Sequence, residues 1–198
     1  MMEPARPSKP RLVLFAFGDF AFNIYWQSIM LFLLFYYTDA LDTPIAVATT
    51  TYMIASVWDG LASFAAGVLV DRRHSTLRYG AIMTVGAVPL GICFVLAYLP
   101  PAGIGPLGIA SILGAHLLFR TAYAAVNVPY LAMTARISGD PGDRAFVAGM
   151  RMLFGTAAAV AVAALVPTAI FLRGQPEEKL AVGFTVTLPA GWGFRWFD

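Results

Sequence analysis

Polar side chains recur at helical spacing within long apolar stretches of this sequence. Asp19, Asn23 and Trp26 follow one another at intervals of four and three residues, and Asp59 and Ser63 are four residues apart in the next stretch. Residues at these intervals lie on one face of an α-helix. Each stretch is therefore predicted to present a carboxylate and further polar groups on one side of a helix, which is typical of a site for a polar solute.

Positive charge follows the same pattern further along the chain. His116, Arg120, Tyr123 and Asn127 are separated by four, three and four residues, and Arg151 lies in the apolar stretch after them. With the two acids, these arginines give an interior of balanced charge that can neutralise itself when no ligand is bound. His116 by itself is more typical of a hydrogen-bonded interior histidine than of a proton carrier.

These polar groups have two competing interpretations. Uncharged groups such as Asn23 and Ser63 often link membrane helices by hydrogen bonds without binding a ligand. An Asp or Arg near the centre of a membrane helix, however, costs about 2.5–3.5 kcal/mol on insertion scales. Two acids and two arginines spread over four helices therefore favour a water-accessible binding cavity.

The elements that carry these groups are predicted to be membrane-spanning helices. Hydrophobic residues make up 59% of the 198 residues and charged residues 12%, against roughly 45–50% and about 25% in soluble domains. A bilayer core needs about 20 helical residues per span. Five stretches are long enough, and the predicted fold class is an all-α, polytopic membrane helix bundle with spans at 12–38, 45–70, 79–99, 105–133 and 146–172.

Basic residues fall on alternate sides of the predicted spans. They lie in the tail 1–11, in the loop after the second span and in the loop after the fourth: Arg6, Lys9, Arg11, Arg72, Arg73, Arg78, Arg136 and Arg144. Short cytoplasmic loops are enriched in Lys and Arg. The chain is therefore predicted to be a multi-pass protein of the inner or plasma membrane with a cytoplasmic N-terminus.

The segment 173–198 is expected to form an external loop and an incomplete sixth helix. Its apolar part contains Pro189, Arg195 and several glycines and is short for a span. We expect a truncated or frameshifted reading frame, with a re-entrant or interfacial segment as the alternative.

Several motifs resemble one transporter family. Gly67-x-Leu69-x-Asp71-Arg72 resembles the loop signature of the major facilitator superfamily, in which Gly67 would permit close helix contact while Asp71 and Arg72 pair across a cytoplasmic gate. Further motifs occur in the order seen in the glycoside-pentoside-hexuronide:cation symporters: GDFAFN at 18–23, FLLFYYTD at 32–39, VWDG at 57–60, VNVPY at 126–130 and DPGDRAFVAGMRMLF at 140–154. The chain resembles the N-terminal half of this melibiose-carrier-like family.

The resemblance implies a fold of twelve helices in which sugar binds between two six-helix halves. It implies that Asp19 and Arg151 contact sugar hydroxyls, and that Asn127 stands where melibiose carriers have a sugar-binding aspartate. The family's cation pattern, Asp-x-x-Asn-Asp-Pro, reads Asp59-Gly-Leu-Ala-Ser63-Phe here. One of the family's two sodium-binding acids is therefore replaced. Sodium prefers several hard oxygen ligands, whereas a lone buried carboxylate suits proton exchange. We expect proton coupling, or no coupling, rather than sodium coupling.

The resulting hypothesis is a symporter of a sugar-like small molecule, coupled to a proton rather than sodium and present as a half. Asp19, Asn23, Trp26, Arg120, Tyr123, Asn127 and Arg151 would bind substrate, and Asp59 with Ser63 the coupling cation. The expected partners are substrate, cation and lipid bilayer, with a separately encoded C-terminal half as a further option.

Two other classes of function compete with this hypothesis. A non-transporting remnant or accessory membrane protein of the same fold is the alternative. An enzyme is not expected, because the sequence has no nucleophile motif, phosphate-binding glycine loop or metal-ligand cluster. No cofactor or metal is predicted, and the formal net charge of +2 gives no reason to expect a nucleic-acid partner.

Overall fold

The computed structural model describes residues 7–73, 79–101, 103 and 105–172 of the chain. Residues 1–6 of the predicted tail 1–11, and the whole of the predicted external loop and incomplete sixth helix at 173–198, lie outside the described residues. The described part contains five long helices, α1 to α5, which span Lys9–Ser28, Ile45–Arg73, Tyr79–Ala97, Pro106–Thr134 and Pro141–Leu172.

Proline and polar residues set where these helices begin. α1, α4 and α5 start at or just before a proline, which suits a first helical turn because the missing N–H has no partner there anyway. α5 starts at Pro141 rather than at residue 146, and the Asp140 carboxylate accepts a hydrogen bond from the Gly142 N–H at 2.7 Å. The apolar stretch alone does not contain this polar first turn, so the sequence prediction began later.

The first helix continues beyond α1 through two π-helical turns. They span Ile29–Leu33 and Tyr36–Ala40. A π turn inserts one residue into the helical repeat and so rotates the faces that follow it. The helix ends where Asp42 adopts a φ of 50°, a left-handed conformation that Asp tolerates better than most residues.

Backbone packing divides the helices into two groups. α1 packs against α5, and α4 packs against both α2 and α3, whereas α4 and α5 touch over a short length. Tyrosine hydroxyls add links between helices. The Tyr130 hydroxyl of α4 donates to the carbonyl of Phe15 at 3.0 Å, and the Tyr98 hydroxyl donates to the carbonyl of Ser28 at 2.8 Å.

A large apolar face of α2 has no covering helix in the described part. Met53, Val57, Leu61 and Phe64, which follow at helical spacing, are 59–72% exposed. Among the described residues, five helices are long and apolar enough to cross a membrane. The predicted fold class, an all-α bundle of membrane-length helices, is confirmed.

The α3–α4 contact depends on Gly86. A Cβ atom at this position would lie 2.5 Å from Cγ2 of Val126, a stiff β-branched side chain. We expect Gly86→Ala to lower the free energy of unfolding by about 1–3 kcal/mol, because the added methyl group forces the two helices apart. Thermal unfolding in detergent micelles measures this change.

Gly91 on the same helix provides the matched control. Its added Cβ would meet only the Tyr25 hydroxyl at 3.7 Å, an ordinary contact. Gly91→Ala should be neutral or stabilising by up to about 1 kcal/mol, since alanine favours helix over glycine. Equal unfolding midpoints for the two variants would contradict the proposed close approach.

Candidate functional site

An ion pair joins α1 to α5. Both Nε and Nη2 of Arg151 donate to one carboxylate oxygen of Asp19, at 3.0 and 2.9 Å, and Nη1 donates to the Thr134 hydroxyl at 2.8 Å. The two charged side chains keep 16% and 14% of their surface exposed. The fixed fork of the guanidinium thus holds three helices in register.

Asn23 and Gly155 complete the surroundings of Asp19. The Asn23 amide donates to the backbone carbonyl of Asp19 at 2.9 Å and to its carboxylate at 3.2 Å. A Cβ on Gly155 would lie 3.0 Å from Asn23 Nδ2 and 3.2 Å from Asp19 Oδ2, so glycine allows α5 to approach this carboxylate closely. The Arg151 guanidinium lies over the ring of Tyr130 at 4.9 Å.

A second, looser pair joins α2 to α4. Nη1 of Arg120 lies 3.8 Å from the Asp59 carboxylate, and Nε of Arg120 donates to Nε2 of His116 at 3.2 Å. The guanidinium carbon lies 4.6 Å from the Trp26 ring centre, a cation–π distance. Arg120 is 2% exposed, so a full positive charge is held inside the bundle.

Aromatic rings connect the two ion pairs. Trp26 contacts Tyr123 with ring centres 5.0 Å apart, Phe22 lies 6.0 Å from Tyr123, and Phe22 lies 5.0 Å from Tyr130. Because Arg120 stacks on Trp26 and Arg151 on Tyr130, the rings form a continuous row between the guanidinium groups. We call Trp26, Tyr123, Phe22 and Tyr130 the aromatic row.

Both pairs lie deep within the helices. At about 1.5 Å per residue, Asp59 and Arg120 are each about 21 Å from the first residue of their helix, close to its middle. Asp19 and Arg151 are each about 15 Å from the first residue of α1 and of α5. Those first residues lie at the end of the bundle opposite to the one where α2 and α4 begin. The two pairs are therefore at similar depth, and neither belongs to a surface loop.

The structure brings most of the predicted site residues together. Asp19, Asn23 and Arg151 share one cluster, and Trp26, Arg120 and Asp59 share the other, with Tyr123 between them. Asn127 and Ser63 are half-buried, one helical turn beyond Tyr123 and Asp59 respectively.

The residues predicted as a cytoplasmic gate lie near the last turns of α2. Asp71 and Arg72 are exposed there, and Gly67 is half-buried. A Cβ on Gly67 would meet nothing within 4 Å in the part of the chain that the structure describes. No described helix therefore makes the close contact that was expected at this glycine.

Sequence reasoning missed Tyr130 and Thr134, which both contact Arg151. The missed signal was present, since the stripe on α4 continues from Asn127 at intervals of three and four residues to these two. It also missed Thr121, whose hydroxyl accepts a hydrogen bond from Nε1 of Trp58 at 2.9 Å beside the Asp59–Arg120 pair. Spacing on α4 gives no signal for that contact.

The described residues contain no group of three His, Cys, Asp or Glu side chains placed to hold a metal ion. The arrangement instead offers paired opposite charges, hydrogen-bond donors and aromatic faces. Such a set can exchange its internal ion pairs for hydrogen bonds to a hydroxylated solute, and can add a cation at a carboxylate.

Comparison with known proteins shows the family to which this sequence belongs. Residues 14–191 match the family described as MFS/sugar transport protein. The chain is 30% identical over 171 residues to the inner membrane symporter YicJ of Escherichia coli K12, and 28% identical over 169 residues to the putative glycoside/cation symporter YagG of that strain. Each alignment covers 84% of this chain and 36% of the relative.

A more distant relative is the isoprimeverose transporter of Lactiplantibacillus pentosus, 22% identical over 178 residues, which cover 88% of this chain and 37% of that protein. The chain thus spans little more than a third of the length of these relatives. The resemblance stated from the motifs is confirmed, and it is to multi-pass membrane transporters rather than to enzymes. The chain belongs to the MFS/sugar transport protein family.

Proposed function

We propose that this chain provides the substrate-binding and coupling residues of a secondary active symporter for a sugar or a related polar solute. One observation carries the proposal: two Asp–Arg pairs lie at membrane depth, joined by the aromatic row. Charges buried at that depth are costly in a purely structural role. The names of the relatives, glycoside/cation symporter and isoprimeverose transporter, support the same class of substrate.

The substrate is proposed to bind between the two pairs. Arg151, Asp19 and Asn23 offer donors and acceptors on one side, and Arg120 with Asn127 offers them on the other. The faces of Trp26 and Tyr123 suit the apolar side of a sugar ring, since pockets for small polar ligands combine aromatic surface with a few placed polar groups. Binding would replace part of each ion pair with hydrogen bonds to hydroxyl groups.

The coupling ion is proposed to be a proton carried by Asp59, with Ser63 nearby. Arg120 already provides one positive charge to this carboxylate. A sodium ion needs several oxygen ligands, and Asp59 with Ser63 offers few of them. Alternating access would rock this bundle against a second one, with Gly67, Asp71 and Arg72 at a cytoplasmic gate.

Asp59→Asn tests the coupling role. In membrane vesicles from cells expressing the encoding gene, we expect this variant to lose uphill accumulation driven by a proton gradient. It should retain counterflow exchange of substrate, because exchange requires no net proton movement. Retained exchange also shows that the protein is folded.

Asp42→Asn is the matched control for this experiment. Asp42 is exposed in the turn after the first helix, and Asn tolerates the positive φ of this position. Substrate accumulation by the Asp42→Asn variant should therefore equal that of the unmodified protein. Normal accumulation by Asp59→Asn would rule out the proposed role. Accumulation driven by a sodium gradient alone would overturn the choice of proton.

A further inference from the structure

Four buried side chains with unused polar groups form a second polar cluster beside the Asp59–Arg120 pair. Tyr36, Tyr37, His116 and Arg120 are each at most 2% exposed. We call them the tyrosine–histidine cluster. Among the described residues, no protein group hydrogen-bonds the hydroxyls of Tyr36 and Tyr37, Nδ1 of His116 or Nη2 of Arg120, and the same holds for one carboxylate oxygen of Asp59.

The hydrogen bond between Arg120 and His116 determines which ring nitrogen of the neutral histidine carries the proton. Arg120 Nε can only donate, so Nε2 of His116 must accept. In a neutral imidazole the proton then lies on Nδ1, which becomes a buried N–H donor without a protein acceptor. The cluster therefore presents several unused donors, and Asp59 presents an unused acceptor.

The members of the cluster are contiguous. Ring centres are 6.1 Å apart for Tyr36 and Tyr37, 6.3 Å for Tyr37 and His116, and 5.3 Å for His116 and Tyr52. Arg120 in turn lies 5.7 Å from the Tyr52 ring centre. Side chains from the first helix, α2 and α4 thus enclose one polar region that ends at Asp59.

The second π turn of the first helix helps to build this region. It begins at Tyr36, and it holds two consecutive tyrosines with both side chains buried. π turns are frequent at functional sites because they change which side chains face inwards. A buried polar atom without a partner is unfavourable, and in native proteins such atoms are usually satisfied by ordered water.

We propose that the tyrosine–histidine cluster binds a chain of water molecules that leads from the end of the first helix to Asp59. His116 lies about 15 Å and Arg120 about 21 Å from the start of α4, so the chain would run inward along that depth. Its role as the route for the coupling proton rests on the proposed function. A hydronium at the outer end gives its proton to the first water, each water passes one proton on, and Asp59 becomes a carboxylic acid.

Radiolytic hydroxyl-radical footprinting tests for the water directly. The chain is irradiated in lipid nanodiscs and oxidised side chains are identified by mass spectrometry. Radicals form from water beside the side chain, so Tyr36, Tyr37 and His116 should be labelled several times faster than buried tyrosines whose hydroxyls bond to protein. Tyr98 and Tyr130 are those controls, at 3% and 0% exposure, with hydroxyls bonded to the carbonyls of Ser28 and Phe15.

Tyr37→Phe sharpens the test because it removes only the unused hydroxyl. It should reduce the labelling of His116 severalfold, whereas Tyr98→Phe should leave His116 labelling unchanged. Equal, slow labelling of all these residues would overturn the proposal. Failure of proton coupling would instead appear in the Asp59→Asn uptake experiment and would leave the labelling pattern intact, so the two failures are distinguishable.

Discussion

Replacing Arg120 with methionine is expected to lower the free energy of unfolding by about 3 kcal/mol, the lower end of the range for breaking a buried ion pair, because it leaves the partly buried Asp59 carboxylate without its partner. The guanidinium faces Asp59, donates to His116 and stacks on Trp26. Methionine fills much of the same volume but supplies none of these interactions. Thermal or chemical unfolding in detergent micelles measures the loss.

The double variant Arg120→Met with Asp59→Leu separates charge from packing. With both charges removed, most of the lost stability should return, since apolar replacement of a whole buried pair is often neutral. The double variant should show no proton-driven accumulation of substrate, because the Asp59 carboxylate is gone. This account would be contradicted by a single Arg120→Met variant as stable as the unmodified chain. It would also be contradicted by a double variant less stable than the single variant.

Replacing Arg151 with glutamine is expected to weaken substrate binding by about 100-fold or more, the usual scale for removing one partner of a buried charged pair at an interface. Glutamine cannot reproduce two N–H groups on one Asp19 oxygen together with a third on Thr134. Binding of a radiolabelled sugar to vesicles from cells expressing the encoding gene measures the change.

Arg151→Lys and a double variant provide the controls. Lysine retains the charge without the planar fork, so its affinity should fall between those of the glutamine variant and the unmodified protein. Asp19→Asn combined with Arg151→Gln should regain stability without regaining binding, which separates a structural from a binding role. Unmodified affinity in Arg151→Gln would exclude Arg151 from the substrate site.

Much of the architecture could be predicted from hydropathy and spacing. A membrane helix must satisfy its own backbone, so the length of an apolar stretch nearly fixes the element. Spacing likewise placed Asp19 with Asn23 and Arg120 with His116, pairs that hydrogen-bond one turn apart. Within one helix, periodicity is sufficient to predict which side chains lie close together.

Contacts between helices could not be predicted in the same way. Spacing defines a face but not the face opposite it, so Asp19 could have paired with either arginine until the packing of α1 on α5 was known. The π turns that bury both Tyr36 and Tyr37 have no marker in their residue types. Gly67 matched a motif, yet a Cβ there would meet nothing within 4 Å in the described part of the chain, whereas Gly86, at a closely packed position, matched none.

The division of the helices into two packing groups places one charged pair in each. α1 with α5 holds Asp19 and Arg151, α4 with α2 holds Asp59 and Arg120, and the aromatic row crosses between them. Aromatic contacts tolerate many offsets and tilts at similar energy. A change of ring size along this row should therefore let the two groups of helices shift relative to one another while both charged pairs are preserved.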